Sequence, residues 1–521
     1  MSDEFSINEK PYDAIIIGTG LGSLSYAALL VRSGKKVIVF EKASEPGGCA
    51  SSYSKDGIRY EAGATTLVGL ESGLPLYLLL KELGIPKENL PLILLPTAMK
   101  VNMGKNKGID ISGIEFLTRN NKRGEWIEEV SRYFGEAKKQ KRFWSWMFYL
   151  SDHVWDVSSR LIHFPFHNIA DVFKTLLKLK WKDFLIFSFS IISIKALLKL
   201  PGFPKSKLFK KFLDEQLLIT AQTTSESAPV TLASAGLSYA HLDNYYLIGG
   251  MGELAGILVN YIESHKGKVH FREEVNVIAA EDSRGEILYS VHTRKNKTYL
   301  ANSLISGIPI WNLPSLIDPD KNLLQKKLFH YLNSRSAKYN KNIWGAFNIS
   351  ILVEDFLADE ECIHFQFHLE EELPYGLGKS IFISVSHKDD QIRCRNGQRV
   401  LAVSTHASLP ENWDRKEKDY TYKKQEIILL VIKHLESNWN GFSKDKIIKI
   451  QAASPATWQI WTGRYKGRVG GIPASYFRNL LSYPSSFTSL RGFYLLGDTV
   501  YPGQGIPGVV LGALNLFKRL G

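Results

Sequence analysis

Two glycine-rich clusters stand at opposite ends of this chain, each placed where a backbone can close on an anion. The first lies in Tyr12-Asp13-Ala14-Ile15-Ile16-Ile17-Gly18-Thr19-Gly20-Leu21-Gly22-Ser23, followed by Glu41-Lys42 and by Pro46-Gly47-Gly48-Cys49. The second is Leu495-Leu496-Gly497-Asp498, followed by Pro502-Gly503-Gln504-Gly505-Ile506-Pro507-Gly508-Val509. Glycines permit a tight turn and let backbone N–H groups approach a diphosphate, while an acid beyond the second strand accepts ribose hydroxyls. Residues of this kind at this spacing bind a nucleotide.

The elements that must position them can be read around them. Ile15 to Ile17 form an apolar run too short for a helix, as expected of a buried parallel strand. Gly18 allows the turn, Gly20 clears the way for a diphosphate, and a helix is predicted from about Leu21 to Arg32, ended by Gly34. Lys35 to Phe40 is the predicted second strand, which leaves Glu41 about 20 residues beyond the glycines. The third fingerprint position holds Ser23 in place of glycine, with Gly22 beside it; serine is small enough for close helix–strand packing. Up to this point NAD and FAD fit equally well.

The remainder of the pattern separates them. Gly47-Gly48-Cys49 offers a second flexible segment along the diphosphate. Phe493 to Leu496 is a predicted strand, so Asp498 stands at a strand end, where it can bond a ribityl chain or orient backbone donors. Gly505 to Gly508 then open the last helix, Val509 to Leu520, whose N-terminal N–H groups can stabilise negative charge on a reduced flavin. A cofactor held by both ends of a long chain is itself long and two-headed, which points to FAD. The expected contact residues are Gly18, Gly20, Leu21, Gly22, Ser23, Glu41, Lys42, Gly47, Gly48, Cys49, Gly497, Asp498, Gly505, Ile506, Pro507, Gly508 and Val509.

The stretch from Pro46 to Tyr53, with Gly57-Ile58-Arg59-Tyr60-Glu61-Ala62-Gly63-Ala64-Thr65, resembles that of bacterial phytoene-desaturase-type enzymes. Their superfamily includes carotenoid cis–trans isomerases and retinol saturases. The tail from Gly497 to Val509 is similar to the family's C-terminal FAD motif. His241 to Tyr261 resembles the helix before its adenine-side strand, and Glu274 to Ile278 resembles that strand, which implies an adenine contact from the Val275 backbone. Ser454 to Pro473, with Thr462-Gly463-Arg464 and Gly470-Gly471, resembles the loop near the flavin. Cys49 departs from the pattern, since many members carry Arg there; isomerase and saturase relatives show similar replacements. In its details the chain looks closest to the C-3',4'-desaturase-like and isomerase branch.

The resemblance implies an α/β, two-domain FAD-dependent oxidoreductase: a Rossmann-like βαβ dinucleotide-binding domain with an interleaved, α+β substrate-binding domain. The cofactor domain is expected from residues 1–110, 240–315 and 485–521. Residues 111–239 and 316–484 would form the substrate part, with candidate strands Ile343 to Leu352 and Arg399 to Ser404. The implied activity is redox chemistry on a long apolar polyene of carotenoid type, as desaturation by hydride transfer to flavin or as flavin-dependent cis–trans isomerisation. Neither needs an obvious catalytic dyad, and no residue is assigned as catalytic. Rival readings are an amine-oxidase-like flavoenzyme and a non-catalytic prenyl or lipid carrier similar to the GDP-dissociation inhibitors; the intact Glu41 and Gly497-Asp498 argue against the carrier.

Composition sets further bounds. At 521 residues and 44% hydrophobic content the chain can build more than one core. Cys49, Cys362 and Cys394 form neither a disulfide framework nor a metal motif, which suits a reducing compartment. The acidic start Met1-Ser2-Asp3-Glu4 lacks the apolar run of a secretory signal. The net charge of +13 is concentrated in lysines from Lys174 to Lys211, around the apolar stretch Phe184 to Ile194. That stretch has about half the length needed to span a bilayer. It fits a helix lying in the interface, or a buried helix under a solvated lysine face. The expectation is a cytoplasmic protein held peripherally at the inner face of a membrane, with no nucleic-acid partner and no metal. Phe143, Trp144, Trp146, Phe148, Tyr149 and Trp155 suit either a polyene tunnel or an aromatic core.

Overall fold

The computed structural model describes residues 10–104, 116–283, 285–340, 343–357, 360–475 and 483–521. The acidic start Met1 to Glu4 and the expected 110/111 boundary lie outside the described residues. The chain begins β1 (Tyr12–Ile17), α1 (Leu21–Arg32), β2 (Val37–Phe40), β3 (Ser52–Lys55), β4 (Ile58–Glu61), α2 (Pro75–Leu83), β5 (Leu92–Leu94), β6 (Met99–Asn102) and β7 (Phe116–Arg119). A helical stretch follows: α3 (Arg123–Phe134), α4 (Ala137–Ser159), α5 (Ile169–Leu176), α6 (Trp181–Ser188), α7 (Ile194–Lys199), α8 (Lys207–Ala221) and α9 (Val230–Ser238). Next come β8 (Tyr245–Leu247), α10 (Gly252–Ser264), β9 (Lys268–His270), β10 (Val275–Ser283), β11 (Glu286–Thr293), β12 (Thr298–Ser306) and α11 (Leu323–Lys338). The last part holds β13 (Gly345–Glu354), β14 (His364–His368), β15 (Ser380–Val385), β16 (Gln398–Ala407), α12 (Tyr420–Asn438), β17 (Ile447–Ala453), α13 (Pro455–Thr462), β18 (Phe493–Leu495) and α14 (Gly505–Leu520).

Two sheets carry the fold. In the first, β9, β2, β1 and β12 run parallel in that order, and the antiparallel pair β11–β10 extends the edge. The final residues of β12, Leu304 to Ser306, also pair in parallel with β18, so a strand from the far end of the chain joins the sheet. Its strands are apolar on both sides because both sides are covered. Leu24, Ala28, Leu254, Leu258, Val510 and Leu514 of α1, α10 and α14 pack on one face, while Leu328 and Leu332 of α11 belong to the core on the other.

The second sheet has the order β17-β13-β16-β15-β14-β6-β7 and is antiparallel except for the parallel pair β14–β6. Alternation sorts its side chains. Phe365, Phe367, Ile381, Ile383, Leu401 and Val403 share a core with Ile427, Val431 and Leu435 of α12. His364, Gln366 and His368 alternate with them along β14, and the Gln216 side chain of α8 donates to the Gln366 side-chain amide oxygen, Oε1.

Two expectations are corrected and one open alternative is decided. Strand β6 lies within the expected first cofactor segment, 1–110, yet pairs with β14, so the chain has already entered the second sheet by Met99. Its alternating burial suits a sheet with one helix-covered side. The stretch Phe184 to Ile194 is not one helix. Helix α6 ends at Ser188, a 3-10 turn covers Phe189–Ile191, and Ile194 is fully buried at the start of α7, where the Ser193 hydroxyl caps the Ala196 N–H. The aromatic cluster is mainly core: Phe143, Trp144 and Phe148 are buried and pack with Trp126, Phe209 and Phe212, whereas Tyr149 faces outward.

Helices α5 and α6 are each fixed to the body by a buried carboxylate. Asp171 accepts from Arg519 of α14 at 2.6 Å and from the His167 N–H at 2.9 Å, and His163 Nδ1 lies 3.2 Å away. Asp183 pairs with Arg160 at 2.8 Å. Burial opposes ionisation of Asp171, but the His167 N–H, Arg519 and His163 outweigh it and hold the carboxyl below its ordinary range. The stability Asp171 contributes is therefore present above about pH 4, its unfolded value, and is lost as pH falls through the lowered folded value. Asp171→Asn, which leaves Arg519 buried without a counter-charge, is expected to cost about 3 kcal/mol near neutral pH. Urea unfolding at neutral and acidic pH checks this: the gap between wild type and variant should narrow as the pH is lowered.

Candidate dinucleotide site

The C-terminal ends of the parallel strands line up at one edge of the first sheet, where α/β folds place their ligands. The Gly18 N–H donates to the Phe40 carbonyl, that of Gly307 to Ile17, and that of Leu496 to Ser306, each at 2.8 Å. These bonds join the ends of β1, β2, β12 and β18. Helix α1 leaves β1 through Gly18 and meets α14, whose first turns follow Asp498. A Cβ on Gly22 would lie 3.1 Å from the Val509 carbonyl oxygen and 3.6 Å from the Gly497 nitrogen. The two glycine clusters are thus in contact, and Gly22 is what lets them approach. Ser23 is accommodated by a glycine elsewhere: a Cβ on Gly307 would fall 1.8 Å from the Ser23 hydroxyl.

Glu41 stands at the end of β2 with both carboxylate oxygens engaged. Oε2 accepts from the Thr19 N–H at 2.8 Å and from the Thr19 hydroxyl at 2.6 Å, and Oε1 accepts from the Ala43 N–H at 2.8 Å. This holds the carboxylate against the turn after β1 while leaving lone pairs for a further donor. The Glu273 N–H donates to the Glu41 carbonyl at 2.8 Å, which brings the buried Val275 at the start of β10 alongside. Lys42 is directed to Glu274, 3.6 Å away. Gly47 forms a backbone bridge with Gly20, and its N–H donates to the Thr19 carbonyl at 3.0 Å. Gly48 and Cys49 follow in a 3-10 turn, and the Ala64 N–H donates to the Cys49 carbonyl at 2.9 Å.

A dinucleotide fits these groups. Neither α1 nor α14 has a side-chain cap at its N-terminus, so backbone N–H groups stand free for an anion. Gln504, before α14, has its amide oxygen and nitrogen buried without a protein partner. Gly505 opens α14, Ile506 is buried in the α1 core, Pro507 packs against Gly69, and Gly508 sits under the Gly503 carbonyl.

A loop from the second sheet's side of the molecule completes the arrangement. After α13, Gly463 passes Lys42, with its Cβ position 3.4 Å from Nζ, and Arg464 turns inward. Arg464 donates to Asp498 Oδ2 at 2.7 Å and to the Arg468 carbonyl, with the Cys49 thiol beside it. Burial opposes the charge on Arg464, but Asp498 and Cys49 beside it outweigh that and raise its pKa above the ordinary value. Burial also pushes the Cys49 thiol up, against the pull of Arg464, so the thiol stays protonated. Gly471 has φ +75° and lies so close to the Asp498 carbonyl that a Cβ would come within 2.0 Å of it. Gly470 packs on Gln222, whose Nε2 is 3.4 Å from His406 Nε2; burial lowers His406 to about 4, so it is neutral.

The sequence named Glu41 and Arg464 but not what they hold. Thr19, Gly307, Gln504 and the Arg464–Asp498 pair emerge only once distant segments are brought together. One local signal was present: Gly307 directly follows the end of a strand, as Gly18 does, and Gly497 stands two residues after β18.

Comparison with known proteins agrees with this architecture. A family model described as an NAD(P)-binding Rossmann-like domain matches residues 16–83. Over 98% of this chain and 84% of the relative, the sequence is 25% identical to a chloroplastic prolycopene isomerase of an Oncidium hybrid cultivar. An oxidoreductase from Methanosarcina mazei superposes with a TM-score of 0.62 at 16% identity, covering 97% of this chain and 99% of that one. Putrescine oxidase superposes with a TM-score of 0.59 at 14% identity, covering 98% and 99%. With its two ends joined at one sheet edge, the chain is similar along its whole length to prolycopene isomerases and shares the two-domain fold of flavin-dependent oxidoreductases.

Proposed function

We propose that this chain binds FAD between its two ends and catalyses cis–trans isomerisation of a long apolar polyene of carotenoid type. The observation that carries the cofactor assignment is the contact between the uncapped N-terminal turns of α1 and α14. When bound, FAD supplies reversible exchange of electrons or hydride with a conjugated chain. The glycine turns at Gly18 to Ser23 and Gly47 to Cys49 would hold its diphosphate, Glu41 its adenosine ribose, and Asp498 its ribityl chain. The N–H groups of Gly505 and Ile506 would face the redox-active ring. Isomerisation is preferred because prolycopene isomerases match along 98% of the chain, and saturation is disfavoured because the human all-trans-retinol 13,14-reductase matches along 14%.

Polyene placement is supported by a cleft between α4, α6, α9 and α14. Its volume is about 70 Å³, and Val157, Ile162, Phe187, Leu232, Tyr501 and Leu511 line it. That is below the roughly 300–1,000 Å³ of small-molecule sites, so a polyene would have to part the helices that line it. Asp183 at its wall is neutralised by Arg160, so the cleft presents no unpaired charge from that residue. On the other side of Asp498, Gln222 and neutral His406 add no charge. The protein's part in this chemistry is placement and exclusion of water.

The same reading includes peripheral attachment to a membrane, through a surface that extends upstream of the stretch the sequence pointed to and keeps its exposed Phe184 and Ile191. Among the described residues no helix is long and apolar enough to cross a bilayer. Helices α5 and α6 instead turn Ile169, Phe173, Leu177 and Trp181 outward, at 76, 64, 87 and 70% exposure. Lys174, Lys178, Lys180 and Lys182 stand among them. Apolar side chains ringed by lysines suit the headgroup region of an anionic bilayer, and the cleft lies beneath these helices.

Purified protein is expected to be yellow and to release FAD on denaturation; a colourless preparation that takes up no FAD overturns the assignment. Given poly-cis lycopene and a reductant, it should change the geometry of the polyene without adding double bonds. A product absorbing at longer wavelength would favour desaturation, and consumption of an amine would favour the amine-oxidase reading. Flotation with vesicles containing anionic lipid should carry the wild type and lose the Phe173→Asp/Leu177→Asp variant; equal recovery of both would defeat the proposed attachment surface.

A further inference from the structure

The two glycine clusters have an electrostatic gap that the Arg464 loop is placed to fill. No Lys or Arg stands in residues 12–31, 43–54 or 492–517, while Glu41 and Asp498 add negative charge at the strand ends. Lys42 is turned to Glu274. A dianionic diphosphate entering this site would meet backbone dipoles and one carboxylate, Asp498, whose side chain is 19% exposed. Helix N-termini offset part of that charge, at the level of about half an elementary charge each.

We propose that Arg464 is the counter-charge for the ribityl–diphosphate stretch of FAD, a role that rests on the cofactor reading above. Its side chain is 10% exposed and lies between the two motifs, touching Asp498 of one and Cys49 of the other. A guanidinium has five N–H donors. Those to Asp498 and the Arg468 carbonyl use two, which leaves three for the Cys49 side and for phosphate oxygens. Because Gly47 bridges Gly20, the Cys49 turn and the start of α1 border the same space, and Arg464 reaches it from the opposite side. Arg464 thereby supplies a cation next to position 49, where this chain has a neutral thiol.

The test is FAD affinity of the apo-protein, measured by flavin fluorescence. Arg464→Gln is expected to weaken FAD binding roughly tenfold to a hundredfold, the size of a lost charged hydrogen bond. Adding Cys49→Arg to it returns a cation to the adjoining position and should restore most of that loss. The proposal is overturned if Arg464→Gln binds FAD like the wild type. It is also overturned if Asp498→Asn restores binding in the Arg464→Gln background while Cys49→Arg does not, since Arg464 would then only neutralise Asp498. Should Arg464→Gln not fold, Arg464→Lys and the Cys49→Arg/Arg464→Gln pair carry the test. Each keeps a cation and should stay within a few-fold of wild type, and a folded member that binds no FAD defeats the idea. Absence of FAD from the wild type would instead defeat the cofactor reading.

Discussion

The contact between α1 and α14 at Gly22 governs the rest of the structure. Both helices start at the same sheet edge, and both leave their first N–H groups without side-chain caps. They can lie this close only because position 22 has no side chain to hold Val509 off. Since β18 and α14 come from the last thirty residues, the intervening chain must leave the sheet and return to it. The second sheet and the helical stretch from α3 to α9 are the result of that excursion.

Polar groups in the interior are arranged around this junction. Glu41 fixes the turn after β1 through Thr19, and Arg464 fixes Asp498 at the end of β18. Glu61 makes a third link. It accepts from the Ser52 hydroxyl at 2.8 Å and the Met251 N–H at 3.1 Å, with Arg393 from beyond β15 at 3.6 Å. Burial raises the Glu61 pKa in spite of Arg393. Each carboxylate is held by donors from separate segments, so registry between the two sheets depends on hydrogen bonds that hydrophobic packing alone would not specify.

Local punctuation made the nucleotide-binding unit readable. Helix α1 runs from Leu21 to Arg32 as the spacing of Gly20 and Gly34 predicts, and β13 and β16 overlap the two strands expected in the second sheet. Pairings remote in sequence were not readable. Nothing near Ser23 reveals that Gly307, far along the chain, would make room for it, and nothing near Arg464 names Asp498 as its partner. The Phe184 to Ile194 stretch shows a different limit. Apolar content fixes neither where a helix stops nor which side meets water, so its end became core while Ile169 to Trp181, more mixed in composition, provides the exposed apolar face.

The position of β18 has a consequence for biogenesis. Residues Phe493 to Leu495 complete the sheet, and α14 covers α1, so the nucleotide-binding domain has no finished core until nearly the entire chain has left the ribosome. The βαβ unit must wait, with its apolar helix face uncovered, through synthesis of some 450 residues, roughly 20 to 90 seconds at about 5–20 residues per second. The order of strands in the sheet thus ties completion of this core to the synthesis of β18 and α14.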